Sequence, residues 1–96
     1  MTRISAIRRV SENSNLDVRF SLCGEFDIAN SGQVTEALEK GMAYRTITID
    51  LTRTTFIDAS ILGVLIGLAS RRRHINAERP RIVNASKTIR RLFSLC

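Results

Sequence analysis

Asp58 and Ser60 stand where an alternating segment gives way to a long apolar one, and Asp27 closes an earlier alternating segment. Aspartate is a favoured helix N-cap, because its carboxylate accepts the unpaired backbone N–H groups of the first turn. Ser60 then lies about two residues inside that turn, beside the partial positive charge of the helix start. A hydroxyl held on such a strand-to-helix corner is the most informative group in the chain. Each residue also has a plain structural reading: Asp27 as a turn residue, Asp58 as a cap, Ser60 as a small polar residue at a helix start. Residue type alone leaves both readings open.

The rest of the inventory does not support catalysis. The sequence has no Gly-x-Ser-x-Gly elbow, no Gly-x-x-x-x-Gly-Lys-Ser/Thr phosphate loop and no paired histidines. His74 sits in a basic run and reads as a surface residue rather than a general base. Cys23 and Cys96 lack Cys-x-x-Cys spacing, and with His74 alone they are too few for structural zinc. Buried free thiols are expected for both, a 23–96 disulfide being the alternative. No metal or cofactor is implied, and the chain reads as a non-enzyme.

The elements that must position the corner follow from hydropathy patterning. In Thr46–Leu51, Ile47, Ile49 and Leu51 alternate with Thr46, Thr48 and Asp50, the period of a half-buried strand. A polar loop is expected at Thr52–Thr55, after which Phe56 and Ile57 return to the core. Asp58 then precedes a helix bearing Ile61, Leu62, Val64, Leu65, Ile66 and Leu68, closed by Arg71, Arg72, Arg73 and His74. Cations there suit the negative end of the helix dipole. Gly63 and Gly67 predict close packing of this helix on a sheet.

Upstream, Ile4–Val10 reads as an edge strand and Ser11–Asn15 as a polar turn. Leu16–Cys23 alternates, with Leu16, Val18, Phe20 and Leu22 on one face, so the two strands predict an antiparallel hairpin. Asn30 with Gln33 suggests a capping box for a helix over Ser31–Met42, whose stripe is Val34, Ala37, Leu38 and Met42. Gly41 would end it. Downstream, Pro80 opens a short strand around Arg81–Asn84, and Ser86 caps a last helix with Ile89, Leu92, Phe93 and Cys96 on one face. The order β-β-α-β-α-β-α, with helical crossovers, predicts an α/β fold: a mixed sheet with helices packed on one face.

The 96 residues allow one domain, 1–96. The longest apolar run, Ala59–Ala69, is well short of the ~20 residues of a membrane span, and Met1–Arg9 has no signal-like apolar segment, so a cytoplasmic protein is expected. The net charge is +6, and 13 of the 15 basic residues are arginine. This reads either as a solvated arginine-rich surface or as attraction to an acidic protein or phosphate backbone. The basic residues are not interleaved with aromatics as in base-stacking platforms, so direct nucleic-acid binding is the weaker reading.

Gly24-Glu25-Phe26-Asp27, Ile49-Asp50-Leu51-Thr52 and Phe56-Ile57-Asp58-Ala59-Ser60-Ile61-Leu62-Gly63, in this element order, resemble the STAS domain of bacterial anti-sigma-factor antagonists. The Val83-Asn84-Ala85-Ser86 turn before the last helix matches too, so the resemblance covers nearly the whole chain. It implies a STAS-like fold and a serine at the start of the helix, here Ser60, phosphorylated by an anti-sigma factor that is itself a serine kinase. A cognate serine phosphatase would reverse this, and the unphosphorylated form would bind the anti-sigma factor and free a sigma factor. Asp27, Asp58, Ala59, Ser60, Ile61 and Leu62 are the implied partner-binding residues.

Phosphorylation adds about −1.5 to −2 charges. Beside Asp58 that charge would repel a partner built against a neutral corner, a local event with an interaction readout. The chain departs from the family's Asp-Ser-Ser-Gly run in having Asp58-Ala59-Ser60-Ile61, and relatives usually run on past the position of Cys96. Two further readings follow: a constitutive STAS binding module in which Ile61 has disabled kinase recognition, and nucleotide binding or hydrolysis resting on Asp27, Asp58 and the helix N-terminus.

Overall fold

The computed structural model describes residues 5–12 and 16–94. Its elements run β1 (Ala6–Glu12), β2 (Asp17–Phe26), α1 (Ser31–Glu39), β3 (Thr46–Asp50), β4 (Thr54–Ile57), α2 (Ala59–His74), β5 (Arg81–Val83) and α3 (Lys87–Ser94). The sheet order is β1-β2-β3-β5, with β4 also paired to β2. β1 is antiparallel to β2, as the hairpin reading required, while β2–β3, β2–β4 and β3–β5 are parallel. Three pairs are thus joined through helices, and the sheet is mixed.

One face of this sheet is covered. Val18, Phe20, Leu22, Ile47, Ile49 and Leu51 are buried against Val34 and Leu38 of α1, Ile61, Leu65 and Leu68 of α2, and Ile89 of α3. The alternate residues Arg19, Ser21, Thr48 and Asp50 remain half-buried on the other face. Leu16, expected on the buried face, lies before the strand and is exposed. Cys23 is a free, half-buried thiol on the opposite face from Leu22. Cys96 lies outside the described residues, as do Ile4 and residues 13–15 of the expected turn, while Ser11 and Glu12 prolong β1.

The stretch read as a loop contains a strand instead. β4 pairs with the end of β2 in a register shifted between Gly24 and Glu25. Gly24 has φ of 106°, which an L side chain rarely adopts, and its N–H donates to the Arg53 carbonyl at 2.9 Å. This bulge turns the end of β2 away from β3 and toward β4. Four residues alternating with no apolar partner at i+2 carry little strand signal, and the pairing across the bulge is non-local. Thr54 is buried and donates to the Leu22 carbonyl at 2.6 Å. Phe56, expected in the core, is 48% exposed.

α1 ends at Glu39, and Gly41 follows in a run of turns rather than as a left-handed terminator. A Cβ on Gly41 would stand 2.8 Å from the Phe20 ring, so glycine lets the backbone close over that ring. Gly63 and Gly67 do the reverse of what was expected. An added Cβ would meet nothing within 4 Å at either, because both face away from the sheet. Gly63→Ala and Gly67→Ala should therefore each stabilise the domain by about 0.5–1 kcal/mol, the helix-propensity difference, in urea unfolding.

Asp50 ends β3 and holds the turn that follows it. Its carboxylate accepts the Thr52 hydroxyl at 2.5 Å, the Thr52 N–H at 3.0 Å, Asn84 Nδ2 at 3.2 Å and the Arg19 guanidinium at 3.0 Å. The Thr52 hydroxyl above all, aided by its N–H, Asn84 and Arg19 and opposed by burial, holds the carboxyl down to about 2. A carboxyl depressed in the folded state contributes stability above its unfolded pKa, and loses it as pH falls through the folded value. Asp50→Asn should cost about 1 kcal/mol at pH 7, after discounting for solvent screening. The difference from wild type should vanish between about pH 4 and pH 2 in acid-unfolding curves.

Candidate functional site

The parallel β2–β4 pair builds the corner. Phe26 is in register with Ile57, so Asp27 and Asp58 leave adjacent strands at the same end of the sheet. Neighbouring strands lie about 4.8 Å apart, which sets the two turns side by side. Asp58 follows β4 rather than β3, the one adjustment to the expected placement.

Asp58 caps α2. Its Oδ1 accepts the Ser60 N–H at 3.0 Å, the Ile61 N–H at 3.3 Å and the Ser60 hydroxyl at 2.5 Å. The Ser60 hydroxyl above all, with the N–H groups of Ile61, Ser60 and Ile28, holds the carboxyl below its ordinary range against the opposing effect of desolvation. Asp58 is thus an anion at neutral pH and a poor proton acceptor. The Ile28 N–H, on the turn after β2, is the smallest of these influences on the carboxylate.

That turn is fixed by its own polar groups. Asp27 Oδ1 accepts the Ala29 N–H at 2.9 Å, an Asx-turn. Asn30 Oδ1 accepts the Asp27 N–H at 2.8 Å, and its Nδ2 donates to the Glu25 carbonyl at 2.9 Å. Asn30 does occupy the N-cap position of α1, but with its side chain so engaged it makes no cap hydrogen bond, contrary to the capping-box expectation. Ser86, by contrast, caps α3 as expected, accepting the Ile89 N–H at 3.2 Å.

The corner's surface is assembled from both turns. Ser60, Asp58 and Asp27 are half-buried and Ala59 is exposed. Ile28 is 76% exposed beside Asp27, and Phe56 lies exposed just before the cap. Ile61 and Leu62 are 0% and 6% exposed, so they belong to the core and support the corner from beneath. Of the implied partner-binding residues, Ile61 and Leu62 therefore do not reach the surface, and the exposed apolar groups are Ile28, Ala59 and Phe56. Ile28 directly after Asp27 and Phe56 two residues before Asp58 were the sequence signal for this. The cluster resembles no catalytic constellation, and among the described residues no group of three His, Cys, Asp or Glu could hold a metal. His74 is exposed at the end of α2. No described helix is long and apolar enough to cross a membrane.

At the other end of α2 the basic run hides a core residue. Arg72 is fully buried. Its guanidinium donates to the carbonyls of Met42 at 3.1 Å, Tyr44 at 2.8 Å, Arg45 at 2.7 Å and Glu78 at 3.0 Å. Burial lowers its affinity for the proton and the Glu78 carboxylate raises it. The helix dipole, expected to explain the whole run, does not explain this member of it. The signal was periodicity: Ile61, Leu65, Leu68 and Arg72 recur at spacings of four, three and four, continuing the buried stripe.

These features define a class: a small α/β domain with a mixed sheet, helices on one face, and a capped serine where parallel strands meet a helix. The chain belongs to the STAS domain family, whose model matches residues 8–96. Its fold is similar to the anti-sigma factor antagonist SpoIIAA in its unphosphorylated form, at 23% identity and a TM-score of 0.78, covering 95% of this chain and 84% of that one. The Bacillus cell fate determinant SpoIIAA in the phosphorylated form is also similar, at 23% identity and a TM-score of 0.74 over 94% of this chain and 82% of that one. So is the STAS domain of an antisigma-factor antagonist from Rhodobacter sphaeroides, at 22% identity and a TM-score of 0.70, over 88% and 94%. No curated protein matches the sequence.

Proposed function

We infer that this domain is a cytoplasmic, non-enzymatic anti-sigma factor antagonist, switched by phosphorylation of Ser60. Unphosphorylated, it binds an anti-sigma factor serine kinase through the corner formed by Asp27, Ile28, Phe56, Asp58, Ala59 and Ser60, releasing a sigma factor. A cognate serine phosphatase restores that state.

The observation that carries this reading is the hydrogen bond from Ser60 to the Asp58 cap. The hydroxyl is held by the carboxylate that begins α2, among exposed apolar groups. Transfer of a phosphoryl group to Oγ removes the proton that Asp58 accepts and sets a dianion beside that anion. The contact that stabilises the corner becomes a repulsion, while the apolar rim loses a neutral centre. The helix N-terminus offers the phosphate some compensation, so the change is local rather than unfolding. The domain itself needs no catalytic group. SpoIIAA, a relative in fold, has been solved in both a phosphorylated and an unphosphorylated form.

The test is a pull-down from host lysate with wild type, Ser60→Ala and Ser60→Glu, each at low and moderate salt. One kinase should be retained by wild type and Ser60→Ala, and lost with Ser60→Glu. With ATP it should phosphorylate wild type at residue 60 and leave Ser60→Ala unmodified, read by peptide mass. Equal retention of that kinase by all three variants would make the module constitutive. Retention of nucleic acid that salt removes would make charge the basis of binding.

A further inference from the structure

The positive charge is unevenly spread. Residues 59–96 hold eight Lys and Arg but one carboxylate, Glu78, whereas residues 1–58 hold seven basic and eight acidic residues. In the basic part a groove of about 850 Å3 opens between the later turns of α2, β5 and α3. This lies within the roughly 300–1,000 Å3 of small-molecule sites. Ile49, Leu65, Ile66, Ala69, Ile82 and Phe93 line it. Ile66 and Ile82 remain exposed there, at 53% and 39%.

The polar lining is the Ser70 hydroxyl on α2 and, where α2 ends and the following loop begins, Arg73, Asn76 and Arg79, the two arginines bringing all of its charge. Arg71 pairs with Glu39, and Arg72 is committed to backbone carbonyls. The guanidinium groups of Arg73 and Arg79 have no hydrogen bond or ion pair among the described residues. Glu78 acts on Arg72 and does not line the groove.

Helix carbonyls, which would repel an anion, are largely taken at this end. With Asn76 left-handed at φ 56°, the N–H of Ala77 reaches the Arg72 carbonyl at 2.8 Å and that of Asn76 reaches Arg73 at 3.1 Å, a Schellman closure. Along α2, Arg73 lies about 10 Å beyond Ile66 at 1.5 Å per residue. The groove therefore has a cationic end and an apolar run leading away from it.

We propose that this groove binds an amphiphile with one anionic head, carboxylate or phosphate, and a medium-length alkyl chain. The head sits between Arg73 and Arg79, and the chain lies along Ile66, Ala69 and Ile82. A single charged end followed by an apolar wall fits such a molecule better than an acidic peptide, which would need donors along its length. β5 is also a poor template for an added strand, being three residues long and preceded by Pro80. The site is independent of the switch, since Ser60 lies about 20 Å along α2 from Arg73.

The test is calorimetric titration with decanoate and with dodecyl phosphate below their micelle concentrations, against decanol and dodecyltrimethylammonium. At least one anion should bind saturably at one per chain, about tenfold tighter than the neutral or cationic compound, and the preferred anion identifies the head. The exposed-site variant Arg73→Gln/Arg79→Gln should weaken anion binding about tenfold, and Ala69→Phe, which fills the groove, should do the same. Circular dichroism should show both variants folded. Ser60→Glu should leave the affinity unchanged. The proposal is overturned by absence of saturable binding, by equal binding of the cationic compound, or by indifference to both variants. An acidic peptide binding as tightly as either anion would also overturn it. So would dimerisation in analytical ultracentrifugation that Ala69→Phe abolishes, which would make a second copy the occupant.

Discussion

Arg72→Ala should lower the stability of the domain by about 3–5 kcal/mol, the cost of leaving several carbonyls without their charged donor and of emptying a buried side-chain site. The variant would take the guanidinium from the carbonyls of Met42, Tyr44, Arg45 and Glu78, which it satisfies in part-buried positions. These carbonyls belong to the connection from α1 to β3 and to the loop after α2, so one side chain fixes two irregular segments to a helix end. A small domain is stable by about 5–15 kcal/mol in total, so the variant would sit near its unfolding midpoint. Arg72→Lys keeps the charge and loses the planar fork, and should recover only part of the loss. Arg73→Ala, one residue along and exposed, should change stability by less than about 0.5 kcal/mol. Urea midpoints of the three variants check this directly. Similar midpoints for Arg72→Ala and Arg73→Ala would mean that the buried fork contributes nothing.

Ile61→Gly, which restores the glycine of the family's usual run, should cost about 4 kcal/mol. The side chain is 0% exposed and packs in the core beneath the corner. Its removal combines the 2–5 kcal/mol of a large-to-small core change with about 1 kcal/mol for glycine in a helix. Ile61→Val should cost only about 1 kcal/mol. Because the side chain points away from the surface that Ser60 shares with Ala59 and Ile28, neither variant should alter the rate of Ser60 phosphorylation while it remains folded. The check is urea unfolding beside a time course of phosphate incorporation by the captured kinase. Faster modification of Ile61→Val would show that isoleucine obstructs the kinase, and would restore the reading of a disabled switch.

Much of this fold is written locally. Alternation in Leu16–Cys23 and Thr46–Leu51 sets which residues face the helices, and the covered face holds Val18, Phe20, Leu22, Ile47 and Ile49 as the period of two requires. Asp58 as cap, Ser60 in the first turn and Ser86 at the last helix follow from side-chain oxygens close in sequence to the N–H groups they satisfy. The motifs around Asp27, Asp58 and Ser60 identify the family and the group on which the switch reading rests. Chemistry that acts over two or three residues can be read from two or three residues.

Tertiary structure decided what depends on distant partners. β4 exists because a bulge at Gly24 frees the end of β2 to pair with it, and this places Asp27 beside Asp58. Arg72 is buried because carbonyls some thirty residues away converge on it, whereas Arg71 and Arg73, with the same side chain, remain exposed. Ile61 and Leu62 turned inward because the rotation of α2 on the sheet is set by the whole core, while Ile28 on the turn after β2 and Phe56 in β4 were left outside it. Gly63 and Gly67 look outward for the same reason. Local sequence fixes which backbone groups are satisfied nearby; only the packed chain fixes which side chains meet solvent, and so which atoms a partner can touch.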